Sequence, residues 1–226
     1  MSVPKIIFPQ NFLAHITARR ARLTALTNAL FSPIPRALIW EIGCGHGHFL
    51  THYAGLCRDK YFVGVDRSME RIERAEKKRA RDNLENCRFL RCEAREFLHA
   101  LPSVIRFEEV WVLFPDPWPK KRHHKHRLLQ PLFFEALAGR MVEGARLFFR
   151  TDHLEYFEEV SAAVRLLKTW APAPAPADWP LEFTTVFQAR ARSYHSLVAV
   201  RTAHQAIPVR PVAPGLSPLE APMSTA

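Results

Sequence analysis

The chain predicts an α/β fold, a doubly wound and mostly parallel sheet with helices on both faces. Three observations carry that reading. From Ala37 onward, five short apolar runs alternate with amphipathic segments of helical length. The runs are nearly continuous rather than alternating, as strands covered on both faces must be. The first of them ends in Gly43-Cys44-Gly45-His46-Gly47, a glycine turn that leads straight into an amphipathic segment. At 226 residues, with 48% hydrophobic and 24% charged, the chain can build one domain with a substantial core.

Residues 1–35 read as an N-terminal extension with one helix, Phe12 to Leu30, closed off by Ser32-Pro33-Ile34-Pro35. Its Arg19, Arg20 and Arg22 suit phosphate contact or an exposed helical face equally well. Residues 36–205 form the expected main domain. Strands are expected at Ala37–Ile42, Tyr61–Val65, Cys87–Arg91, Glu109–Phe114 and Arg146–Arg150. Between them fall helices at Gly47–Ala54, Ser68–Asn83, Ala94–Leu101 and Pro131–Met141, with another at His153–Leu167. Phe133, Phe134, Leu137 and Met141 recur at helical spacing and belong to the core. Ala171 to Pro176 alternates Ala and Pro and reads as an extended, semi-rigid linker. Thr185 to Arg190 is a loop or short helix, and His195 to Arg201 is a closing strand. Residues 206–226, rich in Pro, Ala and Ser, have little to bury and are expected to be disordered.

A net charge of +10 favours a nucleic acid or another anionic surface as partner. No run approaches the ~18 apolar residues of a membrane span, and the first ten residues lack a signal-peptide pattern, so a cytoplasmic protein is expected. Cys44, Cys57, Cys87 and Cys92 are irregularly spaced. That spacing favours free thiols over a disulfide framework or a Cys-x-x-Cys zinc site.

Two stretches carry chemistry. In Phe114-Pro115-Asp116-Pro117-Trp118-Pro119, one carboxylate sits in a stiff turn after an apolar strand. The residue before each proline is biased to extended geometry. Five cations and three histidines follow within eight residues, Lys120 to Arg127, with no acid among them. A fixed carboxylate beside a cationic strip suits chemistry on a polyanion such as RNA. With no Cys or acid inside the run, His123, His124 and His126 are not expected to bind metal.

In the glycine turn, position six of a dinucleotide fingerprint is His48 rather than Gly. Together with Glu41 just ahead of the glycines, this fits S-adenosylmethionine better than a pyrophosphate, which the carboxylate would repel. Asp66 ends the second strand 19 residues beyond Gly47, where it can accept both ribose hydroxyl protons. Glu93 follows the third strand and can face the adenine.

At these residues the chain resembles the bacterial tRNA (guanine-N7-)-methyltransferase family, from about Ala37 to Arg201. The matching stretches are Glu41 to Gly47, Phe114 to Lys125, and Arg150-Thr151-Asp152-His153 with Tyr156. The resemblance implies a Rossmann-like methyltransferase fold, S-adenosylmethionine as cofactor and tRNA as partner. It implies cofactor contacts at Glu41, Asp66, Glu93 and Asp116 around a loop of Gly43, Gly45 and Gly47, with Asp116 also catalytic. Substrate contacts are implied at Lys120, Asp152, Thr185 and Gln188. Contacts to tRNA are implied at Lys121, Arg122, His123, His124, Lys125, His126 and Arg127. Asp152 suits an N-cap of the helix beginning near His153 as well.

Four positions depart from the family's usual residues: Gln188 for a glutamate, Tyr194 for a glycine, Ala199 for an aspartate and His126 for an arginine. Other readings fit too: a methyltransferase using the same cofactor on another RNA or a small molecule, or a tRNA-binding relative without catalysis. Monomer and homodimer both remain open.

Overall fold

The computed structural model describes residues 10–32, 37–173 and 179–205. The tail expected to be disordered and Pro174 to Pro176 of the expected linker lie outside the described residues. In chain order the elements are α1 (Gln10–Phe31), β1 (Ala37–Ile42), α2 (His48–Leu56), β2 (Phe62–Asp66) and α3 (Met69–Arg81). Then come β3 (Cys87–Arg91), α4 (Ala94–Ala100), β4 (Arg106–Leu113) and a 3₁₀ helix over Lys121–His126. The remainder is α5 (Pro131–Ala138), β5 (Met141–Thr151), α6 (Leu154–Leu166), β6 (Trp170–Pro172), α7 (Val186–Arg190) and β7 (His195–Arg201).

The sheet order is β3-β2-β1-β4-β5-β7-β6, with β1 to β5 parallel and β7 antiparallel to both of its neighbours. The chain winds from β1 out to β3, then returns to place β4 on the other side of β1. The order therefore reverses between β1 and β4, and such a switch point opens a crevice at the carboxyl ends of the strands.

Two-residue periodicity sorts the strand side chains between the faces. Leu38, Trp40 and Ile42 join one apolar layer with Val110, Val112, Leu147 and Phe149. Ile39, Trp111 and Phe148 join the other, with Phe49 and Tyr53 of α2. Trp111 and Phe148 are register partners, and their rings stack at 4.0 Å. Helix α1 packs through residues spaced four apart, with Leu30 partly buried beside them. Leu23, Thr27 and Phe31 are buried, and the Thr27 hydroxyl donates to the Ala100 carbonyl at 2.6 Å. Arg19 pairs with Glu96 of α4, so one of the α1 arginines is engaged within the fold.

Two expectations are corrected. Ala171 and Pro172 are not linker but edge strand, paired with Val200 and Ala199 of β7. Proline is tolerated there because an edge strand does not need every amide. Helix α5 stops at Ala138, so Met141 is core as expected but begins β5. The Lys121–His126 portion of the basic run forms a 3₁₀ helix. No described helix is long and apolar enough to cross a membrane.

Candidate active site

The glycine turn leaves the end of β1 with Gly43, Gly45 and Gly47 all at positive φ. Gly47 is constrained twice. Its φ is 70°, and a Cβ there would come within 2.7 Å of the Ala75 Cβ and 2.8 Å of the Phe89 ring. Asp66, at the end of β2, fastens this turn. It accepts from the Gly45 amide at 3.1 Å and the Ser68 amide at 2.8 Å, with Arg71 at 3.5 Å. Glu41 is 4% exposed, and its Oε2 has no hydrogen-bond partner among the described residues. Burial, reinforced by the Asp66 charge, holds its pKa well above the usual carboxylate range. A buried acceptor without a partner is costly, and a ligand bearing a cation or an N–H group would relieve it. Glu93 precedes α4 without capping it, and burial raises its pKa as well. Glu41, the glycine turn, Asp66 and Glu93 thus gather at the carboxyl ends of β1, β2 and β3.

Asp116 emerges from the end of β4, next to β1 in the sheet (Ile42 opposite Val112), so its turn borders the glycine turn. Phe114 and Trp118 take φ of 50° and 46°. This corrects the expectation of extended geometry at two of the three residues that precede a proline, Phe114 and Trp118. Positive φ at bulky non-glycine residues costs about 1–3 kcal/mol each and persists only where the surroundings enforce it. The Asp116 side chain is exposed, and nothing among the described residues hydrogen-bonds its carboxylate.

Asp152 stands beside it. The Phe114 amide donates to the Arg150 carbonyl at 2.8 Å, so Asp116 and Asp152 each lie two residues beyond a bonded pair. Asp152 does not cap α6. The cap is His153, whose Nδ1 accepts from the Tyr156 amide, and Asp152 stays exposed. Thr185 caps α7 by accepting from the Gln188 amide at 3.0 Å, a structural duty for a residue expected to touch substrate.

Sequence reasoning missed the role of Arg150. It is 5% exposed, lies 4.0 Å from the Trp179 ring centre and 4.8 Å from that of Tyr194, and donates to Ser196 and Gln188 at 2.9 Å each. Glu182 supplies its carboxylate at 3.4 Å. Ala199 is fully buried in the apolar layer opposite Leu147, away from this cluster.

Of the expected RNA contacts, Lys121, Arg122, Lys125 and His126 are exposed, as is Lys120. His123 and His126 pack their rings near Trp118, at 5.9 and 5.0 Å. His124 is turned inward, 3.3 Å from Glu159 of α6. Arg127 contradicts the expectation. It is 1% exposed, donates to the Pro117 carbonyl at 2.7 Å, and pairs with Glu159 at 2.6 Å and Glu155 at 3.7 Å. A side chain so enclosed does not reach a phosphate. The structure also brings acids to His124 that the run itself lacks, grouping His124 with Glu155 and Glu159. Arg127 already pairs with both carboxylates, most closely with Glu159.

Residues 35–192 match a family model described as "Putative methyltransferase". The chain is 34% identical over 172 residues to a tRNA (guanine-N(7)-)-methyltransferase of Syntrophotalea carbinolica, covering 70% of this chain and 71% of the relative. It is 30% identical over 170 residues to the same-named protein of Rubrobacter xylanophilus, covering 73% and 75%. With that of Nocardia farcinica the match is 37% over 125 residues, 55% of this chain and 46% of the relative. The fold is similar to TrmN from Thermus thermophilus, with a TM-score of 0.53 at 16% identity over 84% of this chain and 52% of that one. An rRNA methylase from Streptococcus thermophilus gives 0.51 at 10% identity over 83% and 96%. With the glycine turn, the Pro-Asp-Pro-Trp turn and the Thr-Asp pair at the carboxyl ends of the neighbouring strands β1, β4 and β5, the chain belongs to the tRNA (guanine-N(7)-)-methyltransferase family.

Proposed function

We propose that this protein transfers a methyl group from S-adenosylmethionine to N7 of a guanine in tRNA, within the variable loop. The observation that carries the reading is the position of Asp116, an exposed carboxylate in a strained turn between the glycine turn and the exposed cations of the 3₁₀ helix.

S-adenosylmethionine supplies an electrophilic methyl on a sulfonium, and its cationic amino acid portion and ribose diol suit the orphaned Glu41 and the Asp66 at the glycine turn. Guanine N7 already holds a free lone pair, so no proton need be removed from the nucleophile. Positioning and electrostatics dominate such a displacement. Asp116 accepts hydrogen bonds from the N–H edge of the base and stabilises the positive charge arriving on the ring, and Asp152 reads the same edge from β5. Lys120, Lys121, Arg122 and Lys125 face the phosphates. Since unmodified tRNA is the substrate, the enzyme works in the cytoplasm.

The test is incubation with radiolabelled S-adenosylmethionine and unmodified tRNA, followed by nucleoside analysis. Label in 7-methylguanosine is expected. Label in another nucleoside would assign a different target, and tRNA binding without label would assign a non-catalytic relative.

A further inference from the structure

We propose that Arg127 is a positioning residue that sets Asp116 relative to Asp152, rather than part of the nucleic-acid surface. This rests on the functional reading above. Arg127 closes a run of exposed cations, yet it is 1% exposed. Every polar contact of its guanidinium goes either to the turn that carries Asp116 or to α6, the helix that follows Asp152. Nε donates to the carbonyl of Pro117, the residue after Asp116, at 2.7 Å. Nη1 and Nη2 face Glu159 and Glu155 on α6, the helix that begins two residues after Asp152, at 2.6 and 3.7 Å. The guanidinium also lies 5.0 Å from the ring centre of Tyr156, whose hydroxyl accepts from the Leu129 amide at 3.0 Å.

The guanidinium meets these partners at once, through a hydrogen bond from Nε and ion-pair contacts from Nη1 and Nη2 that lack hydrogen-bond geometry, and a single ammonium does not replace all three. The arrangement also answers where the strain of the Asp116 turn is held. Phe114 and Trp118 have positive φ on either side of Asp116, and the Pro117 carbonyl between them is fixed from outside the turn. His124 at 3.3 Å from Glu159 ties the 3₁₀ helix to the same anchor, and the Gln130 side-chain amide, just before α5, donates to the His124 carbonyl at 2.9 Å. Two carboxylates that must meet one base are thus joined by a rigid strut. Small misplacements of reacting groups cost rate more than binding.

The test compares Arg127→Lys with Lys125→Ala in the full chain, by steady-state kinetics, tRNA binding against salt, and hydrogen exchange of the peptide spanning residues 114–127. Arg127→Lys is expected to lower kcat by about 10- to 100-fold. The KM for tRNA and the salt slope should stay within twofold, and the 114–127 amides should exchange faster. Lys125→Ala should do the reverse, raising KM and flattening the slope with kcat kept. Glu159→Gln, which keeps the shape but removes the charge, should show a smaller kcat loss of the same kind. A rise in KM with a flatter salt slope in Arg127→Lys would return the residue to the phosphate surface. A lower melting temperature with kcat and exchange unchanged would reduce it to packing. If the wild-type chain itself makes no 7-methylguanosine, the functional reading fails, and the exchange data alone decide whether the strut exists.

Discussion

The Arg150 guanidinium donates to the side-chain oxygen of Gln188 at 2.9 Å. The Gln188 amide nitrogen in turn donates to the Tyr194 hydroxyl at 3.1 Å. Two departures from the family's usual residues are therefore bonded to each other and to a buried cation, and Glu182 supplies the carboxylate that Gln188 lacks. On sequence alone, Gln188→Glu would be expected to tighten ligand binding several-fold. The geometry points elsewhere, because a glutamate there would face Arg150 first. A charge-assisted hydrogen bond exceeds a neutral one by about 1 kcal/mol. The melting temperature should rise by roughly 2–4 °C, while affinity for S-adenosylhomocysteine changes less than about threefold. Calorimetry and thermal melts read both, and a tenfold affinity gain with no thermal shift would show that Gln188 faces the ligand.

Asp116→Asn should leave the fold, the melting temperature and tRNA affinity close to wild type. The Asp116 carboxylate has no partner among the described residues to lose. Turnover should fall by about 10²–10³, the usual loss when one preorganised electrostatic group is removed. A mutant that methylates at the wild-type rate would end the catalytic assignment.

Changing Lys121, Arg122 and Lys125 together to Ala should weaken tRNA binding and flatten its salt dependence. Each lost phosphate contact lowers the log–log slope by roughly 0.7–0.9. All three side chains are exposed, so stability should be nearly unaffected. An unchanged slope in filter binding between low and moderate salt would make the strip a merely solvated face.

The raised pKa of Glu41 gives cofactor binding a pH dependence with a definite sign. Burial, then the Asp66 charge, favour the protonated form in the free protein. A cation arriving beside it favours the ionised form, so binding expels a proton and affinity climbs as pH rises through the raised pKa. For the unliganded fold the sign is opposite: the contribution is complete below the ordinary carboxylate pKa and is lost as pH rises through the raised one. Calorimetry in two buffers of different ionisation enthalpy should detect proton release at pH values below the raised pKa, and Glu41→Gln should abolish it.

Features that depend on local pattern were legible in the sequence. Apolar runs marked β1 to β5 because strands buried on both faces have no alternative composition. The glycine triplet marked the turn because only glycine meets both the φ and the close approach at Gly47. What escaped depends on partners distant in sequence. Arg127 reads as one more cation in a basic run, since nothing local reveals that α6 brings Glu159 to it. His153 took the cap from Asp152 because an imidazole nitrogen can accept as a carboxylate does. β6 was hidden by alternating Ala and Pro, a linker-like composition, and it is a strand only because β7 lies alongside.

That placement of β7 bears on how the chain comes to be folded. The strand lying between β5 and β6 is the last of the three to leave the ribosome. Until residues 195–201 emerge, β5 presents an open edge, with backbone groups of the largely buried segment 146–151 left without their β7 partners. Unpaired strand edges recruit other chains. A message truncated after β6 would therefore yield a sticky intermediate rather than a smaller working enzyme, and completion of the sheet waits on a strand of seven residues.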